Sequence, residues 1–130
     1  MKTKNLKQSV RFKTKPAEVY EALMDSKKHA KFSGSPAKVS RKVGGKFSVF
    51  ENYIYGDNVE LVENKKIVQN WRAQSWPEGH YSKVTYSLKP FGGGTKLLFS
   101  HTGIPSEHFD SIKKGWVNHY WNPMKKMLEK

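Results

Sequence analysis

The chain has 130 residues and a mass of 15.0 kDa, the size of one domain. Hydrophobic residues at 36% and aromatics at 13%, set in periodic runs, exclude a wholly disordered chain, and the absence of cysteine excludes disulfides, thiolate metal sites and cysteine nucleophiles. The 24 basic against 11 acidic side chains give a formal charge of +13, a field that favours acidic partners. No apolar run approaches the roughly 18 residues of a membrane span. The basic N-terminus MKTKNLKQSV has no apolar stretch behind it, as a signal peptide would. The expectation is a soluble, cytoplasmic domain over residues 1–130.

Residues 5–13 alternate, with Leu6, Val10 and Phe12 (and Gln8 among them) on one side and Lys7, Ser9, Arg11 and Lys13 on the other, which predicts a half-buried strand. Thr14-Lys15-Pro16 reads as a helix start, since proline suits the first turn. Val19 and Leu23 then share a face, with Tyr20 and Met24 beside them. Residues 26–36 read as a short helical turn and loop. From 38 to 102 the chain reads as strands: 39–43, ending at Gly44-Gly45; 47–55, dense in Phe, Tyr, Val and Ile, turned by Gly56-Asp57-Asn58; a segment at Val59 and Leu61, turned at 63–66; 67–76; 81–89; and 95–101 after a wide turn at 90–94. Tight turns between consecutive strands make them antiparallel.

The period then changes. Gly103-Ile104-Pro105-Ser106 reads as a stop and a helix cap. Phe109, Ile112, Trp116, Tyr120, Met124 and Met127 or Leu128 recur at three and four residues, an apolar stripe on a helix of about six turns. Pro123 interrupts it and is expected to bend or divide the helix. The order predicts an α+β fold: a curved antiparallel sheet wrapped around a long C-terminal helix, with a short helical segment after the first strand.

Four segments then suggest a family. Val43-Gly44-Gly45-Lys46-Phe47 is similar to the glycine hairpin of the START-like (SRPBCC) superfamily, and more closely of proteins named after the activator of heat-shock protein 90 ATPase. Asn70-Trp71-Arg72 with Ser75-Trp76-Pro77 resembles that family's tryptophan strand. Gly94-Thr95-Lys96-Leu97 through His101-Thr102-Gly103-Ile104-Pro105 resembles its Gly-Thr strand. Gly115-Trp116 with Tyr120-Trp121-Asn122-Pro123-Met124-Lys125 resembles its last helix. The match runs in order from about Val10 to Leu128. The resemblance implies the helix-grip fold. It leaves activity open, because that superfamily holds lipid carriers, receptors and cyclases alike.

The chemistry-bearing residues are sparse. The five histidines include no i, i+4 helical pair and no HExxH, so a zinc site has no support. Gly92-Gly93-Gly94 precedes a strand rather than a helix, which argues against phosphate binding. No cofactor is implied. His101 faces inward by alternation and either orients a ligand or moves a proton, or is a satisfied strand-end histidine, the commoner fate. Glu51, in an aromatic strand, has the same two readings. Trp71, Trp76, Tyr81, Tyr86, Phe99, Trp116, Tyr120 and Trp121 are the expected interior rings. They line a pocket for a flat or elongated apolar molecule, or they fill a core. Trp71, Trp76, Tyr86, Phe99, His101, Trp116 and Tyr120 are the candidate cavity lining. Trp76 and Trp121, off the main stripes, suit a pocket mouth or a partner surface.

Residues 1–50 hold 13 basic and 3 acidic side chains, and residues 51–130 hold 11 and 8. This asymmetry suits an acidic protein partner met by Lys7, Arg11 and Lys13, or it keeps a small domain soluble and its sheet edge blunted. Single-stranded nucleic acid ranks low, because rings fall inward and lysines outward and so share no face. The order of functional readings is a non-enzymatic domain binding a small hydrophobic ligand, then a co-chaperone-like protein-binding domain, then a small cavity enzyme.

Overall fold

The computed structural model describes residues 1–129. Strand β1 (Thr3–Phe12) leads into helix α1 (Pro16–Met24), with Pro16 in its first turn, and helix α2 (Ser26–Ser33). Strands β2 (Ala37–Val39), β3 (Lys46–Val49), β4 (Ile54–Val62), β5 (Lys66–Ala73), β6 (Ser82–Phe91) and β7 (Gly94–Pro105) follow. They form one antiparallel sheet in the order β1-β7-β6-β5-β4-β3-β2. After a single 3₁₀ turn (Ser106–His108), the C-terminal helix runs as α3 (Phe109–Trp116), a π-helical segment (Val117–Trp121) and α4 (Asn122–Leu128). Its inward residues Trp116, Tyr120 and Met124 pack into one core with Val10, Phe12, Val84, Tyr86, Leu97 and Phe99 from the sheet. This is the helix grip the sequence implied.

Bulges between Lys4 and Leu6 and between Asn58 and Glu60 break the ladder register, and such insertions bend a sheet. Asn58, 1% exposed, stands at the second bulge. Its Nδ2 donates to the carbonyls of Ser40 (2.8 Å) and Lys42 (3.0 Å), and its Oδ1 accepts from Gln69 Nε2 (3.0 Å). These bonds hold residues 40–45 as an irregular crossing, so the expected strand at 39–43 is replaced by the shorter, earlier β2.

Other expectations are corrected. The single strand expected at 47–55 is a hairpin: Phe50, Glu51 and Asn52 take φ of 52°, 55° and 71° and reverse the chain between β3 and β4. Glu51 is therefore exposed on a turn, outside any aromatic strand. Gly56, Asp57 and Asn58, expected as a turn, lie inside β4 opposite Trp71, Asn70 and Gln69. Residues 26–33 form a regular helix, because the Asp25 carboxylate accepts from the Lys28 N–H (3.0 Å) and Gly34 ends it at φ 72°. β5 stops at Ala73, which leaves Trp76 on a loop. Strand β7 continues through Pro105, pairing Thr3 with Pro105 and Lys4 with Ile104, so the stop expected at 103–106 comes only at the end of that segment, and no side chain caps the turn that follows. Tyr81, expected inside, is 48% exposed.

Pro123 falls in the first turn of α4, directly after the π-helical segment that divides the last helix, in line with the expected division. It has no N–H to offer the turn before it. That preceding turn is π-helical, with the Asn122 N–H bonded to the Val117 carbonyl five residues back. The wider turn brings both Tyr120 and Trp121 inward, 4% and 3% exposed. On a regular helix neighbours point about 100° apart. Trp121, expected at a mouth or surface, is buried, and its indole N–H donates to Gln8 Oε1 (2.7 Å). That bond also accounts for a glutamine on the inward side of β1.

Gly56 marks the tightest backbone approach in the sheet. A β-carbon there would stand 1.8 Å from the Asn70 carbonyl oxygen and 2.9 Å from the Phe47 ring. Gly56→Ala is predicted to destabilise the fold by about 3 kcal/mol or more, because backbone rather than a flexible side chain must move; urea unfolding midpoints with an unchanged m-value check this.

Candidate functional site

The seam between α3 and the sheet is held by a chain of hydrogen bonds. The Trp116 indole N–H donates to His101 Nδ1 (3.0 Å), His101 Nε2 meets Ser82 Oγ (2.7 Å), and the Ser82 hydroxyl donates to the Trp71 carbonyl (2.7 Å). Indole nitrogen only donates, so Nδ1 is the unprotonated nitrogen and Nε2 carries the hydrogen that Ser82 accepts. His101 is 0% exposed. Burial lowers its pKa to about 3, which keeps the ring neutral. Both nitrogens are occupied, and neither is left to take a proton from a bound molecule.

Rings close around this chain. Trp116 lies 4.4 Å from Phe99, 4.5 Å from Tyr120, and 5.6 Å from both Trp71 and Trp121, centroid to centroid. Tyr86 packs on Phe99 at 5.4 Å. Each such pair adds about 0.5–1.5 kcal/mol beyond area burial. The middle of the grip is therefore filled with side chains.

Space remains at one end. A groove of about 470 Å³ opens between the β3–β4 hairpin (Phe50, Tyr53, Ile54) and the helix face of Ile112, Trp116 and Tyr120, with Trp71 and Trp76 completing its apolar lining. Lys114, His108 and His119 also line it, and no carboxylate does. Of the predicted lining residues, Trp71, Trp76, Trp116 and Tyr120 meet at this groove; Tyr86, Phe99 and His101 lie deeper and do not line it. Phe50, Tyr53 and Ile54, which the sequence pattern places within one strand, reach the groove because the chain reverses at Phe50, Glu51 and Asn52. The only local sign of the turn was Asn52, a residue type tolerant of positive φ.

Two buried polar groups shape the walls. Arg72, 5% exposed, donates from its guanidinium to the carbonyls of Pro77 (3.0 Å), Trp76 (3.2 Å) and His80 (3.4 Å). It thereby folds the loop after β5 so that Trp76 turns inward, against Trp71 at 5.5 Å. His29, 3% exposed on α2, meets the Tyr120 hydroxyl through Nε2 (3.1 Å) and lies tilted against the Phe32 ring at 4.7 Å. Burial lowers its pKa to about 4. Among the described residues no cluster of His, Cys, Asp or Glu is placed to hold a metal, and no helix is long and apolar enough to cross a membrane.

Comparison with known proteins adds the following. A family model described as Activator of Hsp90 ATPase homolog 1-like protein matches residues 13–129. The mouse protein "Activator of 90 kDa heat shock protein ATPase homolog 2" is 36% identical over 118 residues, which is 91% of this chain and 36% of that protein. The human homolog 1 is 32% identical over 114 residues, 88% of this chain and 34% of that protein. The chain thus spans little more than a third of the curated relatives it matches. A crystal structure titled as an HSP90 activator from Plasmodium falciparum superposes with a TM-score of 0.90 at 29% identity, covering 96% of each chain.

Two predictions follow from the hydrogen bonding. Trp116→Phe keeps a ring in the seam but leaves His101 Nδ1 without its donor, so it is predicted to cost about 1–3 kcal/mol, read from thermal or urea unfolding. His101 and His29 are neutral when folded and free to charge when unfolded, so the unfolded chain binds more protons below its ordinary histidine pKa of about 6.5. Stability is therefore complete above about pH 6.5 and lost as the pH falls towards 4 and 3. Each histidine contributes a slope of about 1.4 kcal/mol per pH unit within its window. His29→Gln is predicted to remove roughly half of that slope between pH 6 and 4, measured by unfolding at a series of pH values.

Proposed function

The chain belongs to the Activator of Hsp90 ATPase homolog 1-like family, and from that premise we propose that it is a non-enzymatic, protein-binding domain that engages a chaperone ATPase of the Hsp90 class. The observation that carries this reading is the Plasmodium falciparum HSP90 activator. Nearly the whole of that solved chain is matched by this one, at a TM-score of 0.90. A unit of this length and shape therefore occurs in a protein described as an HSP90 activator. The sealed state of His101 supports a binding role over a catalytic one, because its two nitrogens are spent on Ser82 and Trp116. A cytoplasmic place in the stress response accords with such a partner.

A second reading rests on the groove. Its rings suit a flat or elongated apolar molecule, and Lys114, His108 and His119 at its lining suit an acidic head group on it. This is a rim cavity rather than the central one that a packed seam leaves no room for.

Adding the purified chain to an Hsp90-class ATPase is predicted to raise the hydrolysis rate saturably, and a flat response over an excess of the chain would remove the co-chaperone reading. For the groove, titration with fatty acids and flat aromatic acids is predicted to quench tryptophan fluorescence and raise the melting temperature, since Trp71, Trp76 and Trp116 all line it. Neither signal moving across the panel would remove the ligand reading.

A further inference from the structure

We propose that the outer face of strands β1, β7 and β6 is a docking surface for a carboxylate-rich segment of a protein partner. The three strands are neighbours in the sheet, and no Asp or Glu occurs in any of them. Register places Arg11 opposite Lys96 and Lys96 opposite Lys89, a row of three cations on strands about 4.8 Å apart. Like charges directly opposite one another destabilise a sheet. Among the described residues the side-chain ion pairs are Arg41–Glu21 and Lys66–Glu60, both away from this row.

Edge protection does not account for the arrangement. Lysines guard a sheet edge where a strand lacks a partner. Strand β1 is such an edge, and Lys89 lies beyond the last β5–β6 pair, Lys66–Ser87, but Lys96 is paired on both sides, with Arg11 and Lys89, and so is Lys83, with Asn70 and Thr102. The repulsion is relieved by carboxylates brought from outside. Beside the row, Leu98 stands 38% exposed between Ser9 and Ser87, an apolar point for a partner side chain, and Lys7 lies on the far side of it, opposite Ser100.

The same features favour protein over nucleic acid. The exposed ring at this end of the face, Phe91, already carries the Arg11 guanidinium 4.4 Å from its centroid and Lys96 Nζ at 5.7 Å, so it is not a free stacking platform. Arg11 is the one arginine of the three strands, and lysine is the less apt residue for the paired contacts of phosphate and base. This inference deepens the protein-binding reading by naming a surface and the chemistry it takes.

The test uses fluorescence anisotropy with a labelled peptide of repeated Glu-Glu-Leu and two triple variants that remove the same number of charges. Arg11→Gln, Lys89→Gln, Lys96→Gln is expected to weaken peptide binding roughly tenfold at low salt. Lys27→Gln, Lys28→Gln, Lys31→Gln on exposed α2 positions is expected to leave binding unchanged. Lys96→Gln alone is expected to weaken binding while raising the melting temperature, a pairing that local unfolding would not produce. Equal weakening by both triples would reduce the effect to net charge and overturn the proposal, as would tighter binding to an oligonucleotide of matched charge than to the peptide. The assay contains no chaperone. Its failure leaves the ATPase reading standing, and a flat ATPase response leaves this surface standing.

Discussion

The bond from the Trp116 indole to His101 organises the molecule. It joins the last helix to strand β7, and through Ser82 and the Trp71 carbonyl it reaches β6 and β5. A donor-only indole makes one tautomer of the histidine correct, and that tautomer makes the serine an acceptor on one side and a donor on the other. Three strands and a helix thus share one chain of directed contacts inside a layer made mostly of rings and aliphatic side chains. A buried polar chain is stabilising only when each member is satisfied, and here the members satisfy one another. The rings of Phe99, Tyr120 and Trp121 then pack around Trp116 in the orientation the bond sets.

The position of the groove follows from this. Where Trp116 is tied down the seam is closed, and the groove opens beyond it, where the helix faces the β3–β4 hairpin. The π-helical turn contributes in the opposite direction. By turning two consecutive aromatic residues inward, it fills the region near Gln8 that a regular helix would leave to a smaller face. Proline at 123 is compatible with that turn because the bond it cannot make is one the local geometry has already displaced.

Much of the fold could be read from the chain because single faces are buried. Leu6, Val10 and Phe12 against Lys7 and Arg11, and Val84, Tyr86 and Leu88 against Lys83 and Lys89, are buried and exposed as the two-residue period requires. The stripe of Trp116, Tyr120 and Met124 was equally plain. What failed to show was set by tertiary contact. A run rich in Phe, Tyr, Val and Ile reads as one strand, yet it reverses at Phe50, Glu51 and Asn52, where Ser48 and Asn52 side chains meet and the Tyr53 N–H returns to the Phe50 carbonyl. Trp121 was misplaced because a regular helical period contains no π turn. The groove draws its walls from residues 50–54, 71–76 and 108–120, and no pattern within one element announces such a meeting.

Arg72 has one more implication. Its guanidinium grips three carbonyls of the loop that carries Trp76, and a guanidinium presents its donors as a rigid planar fork. The loop is thus anchored at three points by one side chain whose donors cannot turn independently. The place of Trp76 beside Trp71 is therefore set by a third side chain, and a more flexible cation in place of the fork would let that wall swing.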